Sequence, residues 1–376
     1  MRVGALVAAA LLSTACASGP VASSPAPSPL PTAASGLRLV QVGSMAVPRA
    51  VQTSTRLADG RVLVAGGCTD AGCNLGSAGG ATAEIFDPRT RAFKPTGRMH
   101  ISRDDHQAVL LSDGRVLIAG GWTAQGVTVT TELFDPRRGT FAMGPPMGTP
   151  RAGFTAVAMA DGRVLLAGGE TAAHDNTATA EVFDPRRNKM QAVGDMSVPR
   201  SAHAATLLPN GHVLVAGGIS RGVIVASAEE FDPATGRFRA VGSMKTARYK
   251  AGSVTLADGR ALVIGGAPDV EASRPFVSTE LYDPATSTFS AGPSMAHGRY
   301  KLIDSVVRLG SGDVVVAGGA PTPEIYDARE GVFRAVQGTL GATRLFLTAT
   351  GLDRGVLLVG GYDLRIQPTA AAWVIE

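Results

Sequence analysis

The sequence predicts an all-β fold, a seven-bladed β-propeller whose last blade is closed by the N-terminal strand. Three observations lead to this: one phrase recurs along the chain, each repeat holds four short strand candidates, and the strand count is uneven at the two ends. The phrase is a tight turn, a short apolar strand and a glycine pair. It begins at Asp59, Asp113, Asp161, Asn210, Asp258, Ser311 and Asp353. Repeats of this length indicate units that bury their apolar faces only against one another.

The third repeat serves as the example for the others. Strand a is predicted at 155–159, strand b at 163–167, strand c at 180–183 and strand d at 189–193. Asp161-Gly162 forms the turn between strands a and b, because both residue types tolerate positive φ. Strand b is almost continuously apolar, which is expected of a strand buried on both faces. Each repeat is therefore predicted to form one four-stranded sheet.

The two ends of the chain predict how the circle of sheets closes. There are seven glycine pairs but only six copies of the phrase Glu-x-Phe/Tyr-Asp, and residues 370–376 fit a strand c with nothing left for a strand d. At the other end, residues 37–45 match the strand d region at 237–244. The N-terminal strand is therefore predicted to complete the seventh sheet, and residues 37–376 to form one domain.

The first 36 residues predict export. Residues 1–17 have one basic residue, an apolar run and then small residues, as in a secretory signal peptide. Cys16 after Ser13-Thr14-Ala15 resembles a bacterial lipobox, which would make it a lipidation site; the alternative is ordinary cleavage at Ala15-Cys16-Ala17. Residues 18–36 are Pro, Ala and Ser-rich and indicate a tether. We expect a protein of the bacterial cell envelope, lipid-anchored or secreted.

The two remaining cysteines, Cys68 and Cys73, fall in one predicted loop. In an exported protein such a pair favours a local disulfide. The alternative is a pair of metal thiolates, but no neighbouring His or Cys completes a tetrahedral site. We therefore predict no metal and no cofactor.

Composition limits the partners. The formal net charge is +4 over 376 residues, and the chain has no run of Lys and Arg. A nucleic-acid groove needs clustered basic residues, so no nucleic-acid partner is expected. We expect a monomer that binds a protein or a glycan and meets a membrane only through its N-terminal anchor.

One arginine per repeat precedes strand a, and these side chains are expected to surround the mouth of the central channel. They are Arg49, Arg103, Arg151, Arg200, Arg248, Arg299 and Arg344. In one interpretation each pairs with the glutamate of the Glu-x-Phe phrase; in the other they form a basic funnel for anionic ligands. The seventh repeat has Trp373 in place of the glutamate, which predicts a less compensated Arg344.

The residues just after these arginines differ most between repeats. Asp104, Asp105 and His106 could form an acid/base or metal-binding cluster, although neighbours on a strand point to opposite faces. His106 and His203 share one repeat position, where the alternatives are a structural histidine and a metal ligand. Tyr249 and Tyr300, each followed by lysine, could stack on a sugar. All of these are candidate binding residues at the channel mouth.

The repeated phrase, with Pro-Arg before it and Ala-Glu-x-Phe-Asp-Pro after it, resembles the kelch repeat of bacterial kelch proteins and of the galactose oxidase family. The resemblance covers residues 37–376. It implies a propeller used as a binding or interaction module through the face of the long loops. The alternative it implies is a carbohydrate-active enzyme, either an epimerase- or lyase-like propeller or a copper oxidase. The copper site of that family uses two tyrosines, two histidines and a cysteine, a set that this sequence does not place residue by residue.

Overall fold

The computed structural model describes residues 36–73, 78–172 and 175–376. These residues form seven four-stranded antiparallel sheets, or blades, arranged around a channel. The strand a of each blade contacts the strand a of both neighbours, and these contacts close into a full circle. The sequence prediction of an all-β, seven-bladed propeller is confirmed. The predicted signal peptide, Cys16 and nearly all of the predicted tether lie outside the described residues.

The strand bounds follow the predicted order in each blade. Strands a are Thr53–Arg56, Gln107–Leu110, Thr155–Ala158, Ala204–Leu207, Gly252–Thr255, Val306–Arg308 and Thr348–Gly351. Strands b are Val62–Ala65, Val116–Ala119, Val164–Ala167, Val213–Ala216, Ala261–Ile264, Val314–Val316 and Val356–Val359. Strands c are Ala83–Asp87, Thr131–Asp135, Ala180–Asp184, Ala228–Asp232, Thr279–Asp283, Glu324–Asp327 and Ala372–Ile375. Strands d are Ala92–Pro95, Thr140–Met143, Lys189–Ala192, Arg237–Ala240, Thr288–Ala291 and Val332–Ala335, with Leu39–Gln41 as strand d of blade seven.

The N-terminal strand closes the circle, as the uneven strand count predicts. Leu39 pairs with Ile375 and Gln41 with Trp373, in an antiparallel register. Arg38 also forms an ion pair with Glu376. First and last strands thus share one sheet, and the closure depends on main-chain hydrogen bonds between the two ends of the chain.

The apolar core lies between neighbouring blades. One cluster joins Leu117 and Leu133 of blade two to Leu166 and Phe183 of blade three. Strands b are buried throughout, which explains their nearly continuous apolar sequences. The strand c aromatic of blade one packs on a ring of strand d, with Phe86 and Phe93 at 4.9 Å between centroids. No blade buries its own faces alone, as expected of a repeat fold.

The two ends of the channel differ. The tight a–b and c–d turns form one face, here called the turn face. The long b–c and d–a connections form the other, the loop face, and include two short hairpins, Trp122–Thr123 with Gly126–Val127 and Ile219–Ser220 with Val223–Ile224, and the 3-10 helix Ala78–Ala81. Glu376 lies on the turn face, in a groove beside the a–b turns. No helix in the described part of the chain is long and apolar enough to cross a membrane.

Candidate functional site

Six of the seven repeat arginines are buried and paired with the repeat glutamates. Arg151 shows the pattern: its guanidinium donates to the Gly168 carbonyl at 2.7 Å, to the Thr179 carbonyl and hydroxyl, and to Glu181 at 3.1 Å. Glu181 also accepts two main-chain N–H groups from the d–a connection, those of Gly148 and Thr149. The same pairs recur as Arg49–Glu84, Arg103–Glu132, Arg200–Glu229, Arg248–Glu280 and Arg299–Glu324.

These pairs fasten each d–a connection to the strand c of the blade it enters. Desolvation lowers the pKa of Arg151 from its ordinary value, while Glu181 opposes that shift. Because the guanidinium groups are fully buried, they offer nothing to a ligand at the mouth. The structure thus favours the first of the two interpretations, and six of the predicted binding arginines are structural.

Arg344 in blade seven is different. Trp373 stands at the strand c position of the glutamates, and no ion pair forms with Arg344 among the described residues. Asp363 acts on Arg344 only at a distance, whereas the other six guanidinium groups each bond to a glutamate. Burial lowers the pKa of Arg344 from its ordinary value. The less compensated guanidinium expected from Trp373 is present.

A second set of residues, two positions after each arginine, has the left-handed backbone conformation. They are Val51, Asp105, Gly153, Ala202, Lys250, Lys301 and Phe346, with φ between 50° and 57°. Main-chain hydrogen bonds link several of them from blade to blade, including Ala202 N–H to Gly153 O at 2.7 Å and Lys250 N–H to Ala202 O at 2.8 Å. We call this set the mouth ring, because Val51, Asp105 and Phe346 line the channel just above the strands a.

Three neighbouring members of the mouth ring carry large side chains. Lys250, Lys301 and Phe346 lie on blades five, six and seven, and with Tyr249, Tyr300 and Tyr362 they form the mouth cluster. Both ammonium groups face the same phenyl ring: Nζ lies 5.3 Å from the Phe346 centroid for Lys250 and 5.2 Å for Lys301. The cluster thus combines two cations with four aromatic rings.

Lys301 makes the closest contacts of the cluster. Its Nζ is 2.6 Å from the Tyr362 hydroxyl oxygen and 5.1 Å from the centroid of the Tyr300 ring. Neither Lys301 nor Lys250 has a carboxylate within ion-pair distance among the described residues. Desolvation and the nearby Lys250 charge lower the pKa of Lys301 to about 8. Desolvation also lowers the pKa of Lys250, against the attraction of Asp105 and Glu170. Two partly uncompensated cations therefore lie side by side.

Two carboxylic acids line the channel below the cluster. Asp105 belongs to the mouth ring, and Asp304 lies at the same level of the channel. Desolvation raises the pKa of Asp105 to about 7, with Glu170 and Asp304 adding to the rise and Lys250 opposing it. Asp304 is accessible to channel water, but the surrounding protein raises its pKa to about 6. These acids are positioned to accept or release protons near neutral pH.

Asp304 was missed at the sequence level, although a signal for it exists. In blades one to five the repeat arginine bonds to the carbonyl of the glycine 17 residues later, as Arg49 does to Gly66. In blade six the separation from Arg299 to Gly318 is 19. The two additional residues fall before strand a, where Ile303 and Asp304 turn into the channel with positive φ at Asp304. Phe346 and Tyr362 were missed because single aromatics carry no motif.

The predicted Asp104, Asp105 and His106 cluster does not converge. Asp104 is buried and its main chain pairs with Trp122, Asp105 lines the channel, and His106 extends to the Thr53 hydroxyl at 3.1 Å. Burial raises the pKa of Asp104 to about 7, with a contribution from Asp105. The left-handed backbone at Asp105, with φ of 50°, turns the chain between Asp104 and His106 and accounts for the separation.

The two histidines bridge neighbouring blades. His203 Nε2 lies 2.9 Å from the Thr155 hydroxyl, just as His106 meets Thr53. Desolvation, with smaller contributions from two nearby arginines each, lowers the pKa of both imidazoles to about 3, so both are neutral. Gly168 makes room for His203: a Cβ there would lie 2.4 Å from the Arg200 carbonyl oxygen and 2.8 Å from the imidazole, at a φ of +67°.

Tyr249 and Tyr300, in contrast, do reach the mouth. Tyr249 is buried and donates its hydroxyl to the Val270 carbonyl at 2.9 Å, while Tyr300 is half-buried beside Lys301. Burial raises the pKa of Tyr249 to about 12. Of the predicted binding residues, the structure therefore brings Tyr249, Tyr300 and Asp105 close to the two lysines that follow the tyrosines.

The residues do not fit a radical-copper site. Cys68 and Cys73 form a disulfide with Cα atoms 5.0 Å apart, so the Cys68 sulfur is already bonded. His106 and His203 lie in different blade seams, each against a threonine hydroxyl. Within the described residues no three His, Cys, Asp or Glu side chains are grouped closely enough to hold a metal ion.

Comparison with known proteins agrees with this architecture. The family model described as Kelch motif matches residues 200–245. A solved fungal alcohol oxidase of the AA5 family, in complex with copper, is similar over 90% of this chain and 75% of its own, with a TM-score of 0.68 and 18% sequence identity. No curated protein matches the chain. At that identity the likeness concerns the fold alone. The chain thus forms a seven-bladed propeller with a Kelch motif at residues 200–245, and its fold is similar to that of the AA5 alcohol oxidase.

Proposed function

We propose that this protein is an exported binding module that recognises an anionic carbohydrate at the channel mouth. The observation that carries the proposal is the pair of ammonium groups, Lys250 and Lys301, side by side among four aromatic rings. No carboxylate of the described chain lies within ion-pair distance of either. Loops on a rigid scaffold commonly carry binding sites, and this pair lies on the face of the long connections.

The chemistry of the mouth cluster suits an acidic sugar. An ammonium group has three rotatable donors and can bond a carboxylate or phosphate without a fixed geometry. A bound anion would also offset the desolvation and the repulsion by Lys250 that lower the pKa of Lys301. Aromatic faces pack against the C–H faces of sugars, and Tyr300, Phe346 and Tyr362 provide such surfaces beside the cations.

The test compares an oligogalacturonate with the same oligosaccharide bearing methyl-esterified carboxyls, by isothermal titration calorimetry. We expect the acidic form to bind at least about ten-fold more tightly than the ester, a difference of about 1.4 kcal/mol. The double variant Lys250→Met, Lys301→Met should lose that preference. Lys245→Met, an exposed lysine of the same connection, is the matched control and should keep it. Equal binding of acid and ester, or no binding of either, would count against the proposal.

We further propose that Cys16 carries a lipid anchor, on the basis of the lipobox-like residues before it. Membrane fractionation of cells that express the full chain tests this. The wild-type chain should sediment with membranes and Cys16→Ser should not; equal distribution of both would contradict the anchor.

An enzymatic role is the second candidate, because carboxylic acids and an amine with shifted pKa values line the same mouth. Desolvation raises the pKa of Asp105 while it lowers that of Lys301, and groups of this kind are found where proton transfer is catalysed. A lyase would produce an unsaturated product from the oligogalacturonate, which absorbs in the ultraviolet. Turnover that Asp105→Asn abolishes would support this role, and its absence would leave the binding module.

A further inference from the structure

Lysine is rare in this chain, and its placement is selective. It occurs only as Lys94, Lys189, Lys245, Lys250 and Lys301. The first three are exposed, whereas Lys250 and Lys301 occupy the same position of the mouth ring in adjacent blades and are half-buried. The remaining basic residues of the mouth are arginines, whose guanidinium is not deprotonated in proteins. Among the basic side chains of the described mouth, Lys250 and Lys301 are therefore the amines that can lose a proton.

The surroundings of Lys301 disfavour its charged form. Three aromatic rings, those of Tyr300, Phe346 and Tyr362, have their centroids 5.0 to 5.2 Å from its Nζ and exclude water from it. Their faces attract a cation, but desolvation and the neighbouring Lys250 charge outweigh this attraction and lower the pKa of Lys301. Among the charged groups of the mouth, Lys250 repels it, and none of Asp105, Glu170 and Asp304 forms an ion pair with it in the described chain. Desolvation next to a second cation is an arrangement that activates a lysine as a nucleophile.

We propose that Lys301 is a nucleophilic amine that condenses with small aldehydes or ketones entering the channel mouth. This inference does not depend on whether the mouth binds an acidic sugar. The Nζ lone pair attacks the carbonyl carbon, and the proton lost from nitrogen passes to the carbonyl oxygen. Water then leaves as the imine forms, so that one amine and one carbonyl compound give one imine and one water, with no redox step.

Tyr362 is placed to assist the loss of water. Its hydroxyl oxygen lies 2.6 Å from Nζ, within reach of a carbinolamine oxygen on the carbon attached to that nitrogen. Burial raises the pKa of Tyr362 well above its ordinary value, with Tyr300 and Asp105 adding to the rise, so the phenol keeps its proton. Tyr362 can therefore donate that proton to the departing hydroxide, and the phenolate recovers a proton from the iminium nitrogen as the neutral imine forms.

The experiment uses the whole protein, with glycolaldehyde as probe and cyanoborohydride to trap the imine as a secondary amine. Peptide mapping by mass spectrometry then gives the labelling rate of each lysine. At pH 7.4 we expect Lys301 to react roughly ten-fold faster than Lys94, Lys189 and Lys245, since about a fifth of an amine with a pKa of about 8 is neutral there. Its rate should rise to a plateau just above pH 8, while the exposed lysines continue to accelerate toward pH 10.

Two variants separate the contribution of the Lys250 charge from that of the Tyr362 hydroxyl. Lys250→Met removes the neighbouring charge and should shift the Lys301 rate profile to higher pH. Tyr362→Phe keeps the ring, removes the hydroxyl and should slow labelling several-fold; Tyr300→Phe, whose hydroxyl does not bond to Lys301, should leave it unchanged. Labelling of Lys301 no faster than Lys245 in the wild-type protein, or without a plateau near pH 8, would overturn the proposal whether or not the variants fold.

Discussion

The repeat arginines and the mouth ring follow the same seven repeats, two residues apart, yet they have opposite characters. The arginine is constant, and in six blades it is buried and bonded to the same partners. The mouth ring needs only a residue that can take a left-handed backbone, and it varies from Gly153 to Lys250 and Phe346. In these six blades the arginine fastens the d–a connection to strand c, and its residue type is the same in all seven repeats. The two half-buried lysines, Lys250 and Lys301, occupy the position at which the fold allows the residue type to vary.

The largest expected effect is the difference in stability lost between two variants, one at an arginine paired with a glutamate and one at Arg344. Arg151→Met leaves Glu181 buried without its cation, and breaking a buried pair in this way costs about 3–5 kcal/mol. Arg344→Met removes a half-buried guanidinium that has no carboxylate partner in the described chain, and should cost less than about 1 kcal/mol. Urea unfolding of both variants measures the difference. Similar losses would mean that the glutamate is not what makes the other six arginines structural.

A smaller effect should appear in acid, through the two buried histidines. Their folded-state pKa of about 3 lies below the ordinary unfolded value of about 6.5. The unfolded chain therefore binds more protons between these values, and stability is lost as pH falls from about 6.5 toward 3. His203→Gln, which introduces the residue that blade one has at this position, Gln52, should lessen the drop in Tm between pH 7.5 and pH 5 by a few degrees. An unchanged drop would show that these imidazoles do not control it.

The smallest effect is expected at the mouth ring. Lys301→Met keeps most of the packing among the aromatic rings and removes a desolvated charge that Lys250 repels. The free energy of unfolding at pH 7.4 should stay within about 1 kcal/mol of the wild-type value, or rise. A loss as large as that of Arg151→Met would show that Lys301 belongs to the scaffold, and the contrast between the two positions would fail.

Fold and site were predictable to different degrees, for a physical reason. Turns, strands, the circular closure and the Arg–Glu interpretation all follow from features that nearly every blade repeats, so the seven copies support one another. The mouth cluster consists of residue types that differ from the repeat pattern and occur in only one or two blades, such as Phe346 and Tyr362. The insertion that carries Asp304 was readable as a spacing of 19 rather than 17, but which way its side chain turns depends on φ at a single residue.

The closing strand also sets the direction in which the molecule presents its site. Arg38 meets Glu376, and Glu376 shares a groove with Asp59 and Asp353 of the a–b turns. The polypeptide thus enters the propeller on the turn face, across the full depth of the channel from Lys250 and Lys301. An attachment through the residues before Gly36, such as the anchor proposed at Cys16, would join the propeller at the turn face and leave the loop face open to a ligand.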